Sequence, residues 1–173
     1  MEEVRLETER LVLRMWRESD AGPYAEMCAD PSVMRYVGGN PLTGPEAWRN
    51  LAMVIGHWHL RGYGFWAVEE KAGGEMVGRV GCWNPEGWPG LEVGWTLRRR
   101  FWGRGYATEA ARASMNYAFD TLGQTRVISL IAPENVNSIR VAERLGEKPE
   151  GGWEVFGTKV IIYAVGREGF KKA

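Results

Sequence analysis

The stretch Arg100-Phe101-Trp102-Gly103-Arg104-Gly105-Tyr106-Ala107-Thr108-Glu109-Ala110 places cations and two glycines just before an alanine-rich run. This combination is suited to holding a phosphate. Gly103 and Gly105 let the backbone come close to a ligand, because glycine tolerates left-handed turns and has no Cβ. The first N–H groups of a following helix have no partners within the helix, and the helix dipole favours an anion in front of them. The neighbouring Arg98, Arg99, Arg100 and Arg104 form a basic cluster whose place beside the glycine turn favours phosphate contact over a merely solvated charge run.

Two familiar phosphate loops do not fit. A P-loop ends in Gly-Lys-Ser/Thr, whereas Gly105 is followed by Tyr106-Ala107-Thr108. A dinucleotide fingerprint needs a third Gly or Ala where Thr108 stands, and an acidic residue at the end of the next strand. Glu134 ends a predicted strand but lies too far along the chain.

The elements that must position this turn are readable from periodicity. Arg10 to Trp16 alternates Leu11, Leu13 and Met15 with polar neighbours, as a strand does. Ser19-Asp20 is placed to cap a helix to about Ala29, and Pro31 to Asn40 reads as a short helix or turn. Thr43 and Pro45 open a long helix that carries Trp48, Leu51, Ala52, Ile55 and Trp58 at helical spacing. Phe65–Glu69 and Glu75–Trp83 are strands joined by Lys71-Ala72-Gly73-Gly74. Leu91–Leu97 is the fourth strand, Gly105–Leu122 a helix, and Val127–Ile131 a fifth strand. Asn135 caps a last helix that Gly146 ends, and Glu150–Phe156 with Thr158–Val165 makes a closing hairpin. This order implies an α+β sandwich with a mixed sheet.

Composition narrows the class. A length of 173 residues suits a single domain, 1–173, with an adequate core. Lys+Arg and Asp+Glu balance at 22 each, so no global field draws the chain to nucleic acid or an anionic membrane. The start, with Glu2, Glu3 and Arg5, lacks an apolar signal region, and no run approaches the length of a membrane span. Cys28 and Cys82 lie far apart and are expected as buried thiols in a reducing, cytoplasmic setting. His57 and His59, two apart on a helix, face different ways and form no metal pair. No metal site is expected. Nine tryptophans leave two uses open, core packing or an aromatic pocket or interface, and a homodimer stays open with the second.

The glycine turn is similar to the Gln/Arg-x-x-Gly-x-Gly/Ala loop of the Gcn5-related N-acetyltransferases (GNATs), with Gly105 and Ala107 at the required places and Trp102 departing at the first. Trp-Gly-Arg-Gly-Tyr-Ala-Thr-Glu-Ala resembles the RimJ/RimL-like branch. So do Thr8-Glu9-Arg10-Leu11-Val12-Leu13-Arg14, Glu92-Val93-Gly94-Trp95, and Asn135-x-x-Ser138 leading to Arg144-Leu145-Gly146. The resemblance covers nearly the whole chain. It implies a GNAT-like fold, a mixed central sheet flanked by helices with strands four and five splayed, and an acetyl-CoA-dependent transfer to a primary amine. The acceptor would be a protein or peptide N-terminus or a small amine. It places Trp95, Thr96 and Leu97 along the pantetheine arm and the N–H groups from Trp102 through Gly103, Arg104, Gly105, Tyr106, Ala107 and Thr108 near the pyrophosphate.

Within that chemistry a protonated amine must lose a proton, and Glu92, on one strand face with Gly94 and Thr96, is the candidate base. The other reading of Glu92 is an ordinary surface or ion-paired strand-end carboxylate. Glu109, in the first helical turn, is read as a structural acid. Many GNATs protonate the departing thiolate with a tyrosine on the last helix; Ala142 stands there, and the branch suggests Ser138 instead, as proton donor or as a cofactor contact. Asn135 is read as cap and as contact to the arm. The resemblance further implies that the first two helices and the closing hairpin wall the amine site, with Arg35, Tyr36, Trp48, Trp58, Trp153 and Phe156, favouring hydrophobic or aromatic amines. A different reading is a non-catalytic acyl-CoA-binding module with a regulatory or interaction role.

Overall fold

The computed structural model of the protein describes residues 4–170, so Glu2 and Glu3 lie outside the described residues. Eight strands form one sheet: β1 (Leu6–Glu7), β2 (Leu11–Arg14), β3 (Phe65–Glu70), β4 (Met76–Trp83), β5 (Glu92–Leu97), β6 (Arg126–Ile131), β7 (Lys148–Val155) and β8 (Thr158–Gly166). Their order is β1-β2-β3-β4-β5-β6-β8-β7. The helices are α1 (Ala21–Ala29), α2 (Pro31–Met34), α3 (Gly44–Arg61), α4 (Tyr106–Asp120) and α5 (Val136–Leu145). The expected fourth and fifth strands are thus β5 and β6, displaced in number by the two-residue β1.

All neighbouring strands run antiparallel except β5 and β6. The parallel pair shares a single register position, Glu92 opposite Ile128, closed by Ile128 N–H donating to Leu91 O at 3.0 Å. Beyond it the strands part, as expected. On its other edge β5 pairs with β4 along its whole length, from Leu97 opposite Gly78 to Glu92 opposite Trp83.

The sheet is covered on both faces by helices whose apolar stripes match their periodicity. Helix α4 presses Ala110, Ala111, Met115 and Ala118 against Val80, Cys82, Val93 and Val127, all buried. Tyr24, Met27 and Cys28 of α1 pack with Ala47 and Leu51 of α3 in a second cluster. Thr43 begins α3 as expected, donating from its backbone N and Oγ1 to Glu46 Oε2 at 2.8 and 2.7 Å. Asp20, expected as a cap, does something else. Its carboxylate takes Arg14 Nη1 and Nη2, both at 2.8 Å, in a buried bidentate pair, and also the Arg17 backbone N–H. Asn135 caps α5 by accepting from Ser138 N–H at 3.3 Å, and Gly146, at φ +90°, ends it. Both cysteines are buried and free. No helix among the described residues is long and apolar enough to cross a membrane.

Candidate active site

The glycine turn forms one end of the site. Gly103 and Gly105 have φ of +74° and +80°, a region that side chains disfavour. A Cβ at Gly103 would meet nothing within 4 Å, so the turn faces open space. Among the described residues, no acceptor takes the backbone N–H groups of residues 103–108. A row of unpaired N–H groups at the start of a 15-residue helix fits a diphosphate. An open cavity of about 800 Å³ lies alongside, lined by Gly103, Arg104, Gly105, Thr108, Arg112, Asn116 and Arg144 among others. The Asn116 Oδ1 there is buried without a partner.

The side chains of the turn divide by role. Tyr106 is buried beside Phe101 beneath the Arg10 guanidinium, so only its backbone faces the turn. Trp102 folds back, donating from Nε1 to Leu97 O at 2.8 Å. Glu109 is the structural acid expected, accepting from Thr8 Oγ1 at 2.6 Å, Arg10 N at 2.9 Å and Arg10 Nε at 2.7 Å. Arg10 also donates to Arg104 O, and sequence reasoning had assigned it no role at the turn. The basic cluster is corrected. Arg98 is paired with Glu26 and Arg100 with Glu75, and both line a separate cavity with Met27 and Val33. Those tertiary carboxylates turn them away; of the cluster, only Arg104 lines the cavity at the turn.

The splay forms the middle of the site. Leu91 O points toward β6, so by strand alternation Val93, Trp95 and Leu97 turn their N–H and C=O groups to that side; Val93 is used at the strand pair, which leaves the groups of Trp95 and the Leu97 N–H open to the gap. Ser129 Oγ donates to Val93 O at 2.8 Å just past the last strand pair. Glu92 lies at this vertex. Its Oε2 accepts from Trp88 Nε1 at 2.6 Å, and its Oε1 lies 3.1 Å from where a Cβ on Gly94 would stand. Burial pushes the carboxyl up to about 7, against the Trp88 hydrogen bond, the Arg79 charge and the Leu130 backbone N–H, all of which favour ionisation. Glu92 therefore exchanges protons near neutrality. No ion pair holds it among the described residues.

Across the gap, Ser138 Oγ accepts from Trp95 Nε1 at 3.2 Å. The Trp95 ring packs toward Ile131, Ala142 and Tyr163, spanning from β5 to α5 rather than lying free along the gap. Thr96 and Leu97 continue β5 toward the turn, the side chain of Leu97 being buried in the core.

The aromatic side of Glu92 differs from expectation. Trp58 is 1% exposed, packs on Trp66 and donates to Phe65 O, so it is core and not a pocket wall. The rings that do gather by Glu92 are Phe65, Trp83 and Trp88, joined by Phe156 from the β7–β8 turn. Phe65 and Trp83 stack at 5.0 Å, and Phe156 lies 6.1 Å from Trp88. The signal available was Glu92 itself, four residues after Trp88 across a Pro-Gly turn. Tyr36 donates to Glu134 O, bringing the segment after α2 to the start of α5. His57 is structural: Nδ1 meets Tyr63 O at 2.8 Å and Nε2 takes the Asn84 N–H at 3.2 Å. Among the described residues, no group of three or more His, Cys, Asp or Glu side chains could hold a metal ion.

Residues 10–148 match the family described as acetyltransferase (GNAT) domain. The chain is 36% identical over 151 residues to the uncharacterized protein YkkB of Bacillus subtilis, covering 82% of this chain and 84% of that one. It is 31% identical to the uncharacterized N-acetyltransferase p20 of Bacillus licheniformis, covering 84% and 83%. A crystal structure of an acetyltransferase from Agrobacterium tumefaciens superposes with a TM-score of 0.85 at 32% identity, covering 95% of each chain. More distant, at 26% identity over 86% of this chain and 80% of the other, is the [ribosomal protein uS5]-alanine N-acetyltransferase of Escherichia coli.

Proposed function

The chain belongs to the GNAT acetyltransferase family, and from that premise we propose that it moves the acetyl group of acetyl-CoA to a primary amine by direct attack, with Glu92 as general base. The observation that carries this reading is the place of the Glu92 carboxyl, at the vertex of the splayed strands with Oε2 held by Trp88 and Oε1 over Gly94, beside the open edge of β5.

Bound acetyl-CoA supplies the thioester carbonyl that the amine attacks. The N–H groups of residues 103–108 hold the diphosphate, and Arg10 offsets Glu109 beside them. The gap-facing N–H and C=O of Trp95 and the N–H of Leu97 pair with the pantetheine amides as an added strand. Glu92, ionised, takes the proton of the acceptor ammonium, so that the amine lone pair becomes available. At the far side the Ser138 hydroxyl, positioned by Trp95 and by the Asn135 cap, meets the sulfur. Its hydrogen remains available to donate, because Trp95 already supplies the hydrogen of their mutual bond.

The acceptor approaches past Trp88 and Phe156, over the edge of the Phe65 ring beside Gly94. These flat faces favour an amine attached to an apolar or aromatic group, either a small amine or the N-terminus of a peptide. The RimJ/RimL-like motifs and the relative acting on a ribosomal protein alanine support an N-terminal amine.

The test is Glu92→Gln, which keeps the shape and removes the basicity. Acetyl-CoA affinity by calorimetry should hold while turnover of an aromatic amine and peptide panel falls by roughly 10². The deficit should shrink at high pH, where the free amine is more abundant. Undiminished turnover across pH would remove Glu92 from the mechanism.

A further inference from the structure

The loop between β4 and β5 carries Pro85, Gly87, Pro89 and Gly90, yet it is firmly held. His57 Nε2 takes its Asn84 N–H, Trp88 N–H donates to Pro85 O at 3.2 Å, and Gly87 turns at φ +82°. The Trp88 ring leans on the cluster of Val54, Phe65 and Trp83. From the opposite side comes Phe156, the one non-glycine residue with positive φ among those described, at +47°. It sits with Gly157 in the two-residue β7–β8 turn, where positive φ is ordinary, and its side chain is 93% exposed. What all this support fixes is the direction of one indole N–H, which meets Glu92 Oε2 at 2.6 Å.

We propose that Trp88 is a positioning residue for Glu92, an assignment that rests on Glu92 being the base: its N–H ties down Oε2 and leaves Oε1 over Gly94 to meet the acceptor ammonium. A glutamate carboxylate otherwise turns freely about its last torsion, with two equivalent oxygens. One short charge-assisted hydrogen bond removes that freedom. Gly94 completes the arrangement, since a Cβ there would stand 3.1 Å from Oε1 and crowd the Phe65 ring at 3.1 and 3.2 Å. The indole also favours the ionised carboxylate against burial, so it lowers the pH at which the base becomes available. Position and proton affinity are thus set by the same atom.

The primary experiment follows the Trp88 indole N–H resonance by ¹⁵N NMR from pH 5 to 9, in the wild-type protein and in Glu92→Gln. The resonance should show a main step with a midpoint near 7 and lose that step in Glu92→Gln, where only the weaker influence of the neighbouring buried Glu147 carboxyl is left. A second experiment compares Trp88→Phe with wild type using acetyl-CoA and 2-phenylethylamine. The ascending limb of kcat/KM should move up by about one pH unit, a tenfold loss at pH 6 that fades by pH 9, with the KM for acetyl-CoA unchanged. A wild-type indole resonance that ignores pH overturns the proposal even if Trp88→Phe does not fold. A loss of equal size at every pH overturns it too, because that marks a structural role. Full activity in Glu92→Gln brings down the base instead, and is told apart because the indole still titrates in the wild type.

Discussion

Glu147 follows the helix-ending Gly146 and precedes Lys148-Pro149-Glu150, a context that reads as an exposed turn. It is instead 2% exposed, and neither carboxylate oxygen has a hydrogen-bond partner close enough to satisfy it. Burial holds its carboxyl well above the usual range; the neighbouring Ser129 hydroxyl opposes this and the charge of Glu92 adds to it. A carboxyl raised in the folded state takes up a proton on folding. Its contribution to stability is therefore complete below the unfolded value near 4.5 and is lost as pH rises through the folded value. Glu92, raised to about 7, acts with the same sign. Replacing Glu147 by methionine should stabilise the protein at pH 8 by about 1–3 kcal/mol, by removing an unsatisfied buried group. At pH 5 the gain should be much smaller, because close to the unfolded value the raised proton affinity of the buried carboxyl costs little. Urea unfolding at the two pH values measures both; an equal gain at each would mean that the carboxyl takes up no proton on folding.

At the scale of elements, β5 carries the site on the edge that parts from β6, and its far end is fixed by Gly78 of β4. A Cβ on Gly78 would collide with the Thr96 carbonyl oxygen and come within 2.8 Å of Leu97 Cα, both backbone atoms that cannot swing away. Gly78→Ala should therefore cost about 1–3 kcal/mol and, by shifting the end of β5, weaken acetyl-CoA binding measurably in calorimetry. Unchanged unfolding and binding would show that the β4–β5 spacing is slack. Elements of this kind were legible in the sequence because their signals are local. Alternation marked β2, the Lys71–Gly74 turn marked β3 and β4, Thr43 with Pro45 marked the start of α3, and Gly103 and Gly105 marked the turn before α4. The single-pair junction of β5 with β6 followed from the family resemblance and not from any pattern in either strand. The directions of Arg98 and Arg100 were not legible, since Glu26 and Glu75 come from other elements. Nor was the exchange of Trp58 for Trp88 beside Glu92: both are tryptophans at plausible spacings, and only the tertiary fold buries one and presents the other.

The whole molecule is a sheet nearly divided in two. Strands β1–β5 form one part and β6, β8 and β7 the other, joined by one strand pair, the Ser129–Val93 bond, the Trp95–Ser138 bond and the packing of α4 across both. A ligand lying in the gap would act as the missing strand and connect the halves, so binding should register as stability of the whole chain and not only locally. At a hundredfold excess over Kd, acetyl-CoA should add about 2.7 kcal/mol, which for a chain of this size is a rise in Tm of roughly 5–10 °C. Hydrogen exchange should locate the effect: the amides of Trp95 and Leu97 on the open edge, and those of residues 103–108, should gain protection, while amides of β5 already paired with β4 should change little. Gly105→Asp tests the anchoring end. Gly105 has φ +80° and a Cβ there would approach Arg10 Nη2 at 3.4 Å, so aspartate adds backbone strain, bulk and a like charge where the diphosphate sits. This variant should lose both the Tm rise and the protection along β5 while keeping a cooperative unfolding transition. A folded Gly105→Asp protein that still gains several degrees with acetyl-CoA would show that the ligand is held elsewhere than at the glycine turn.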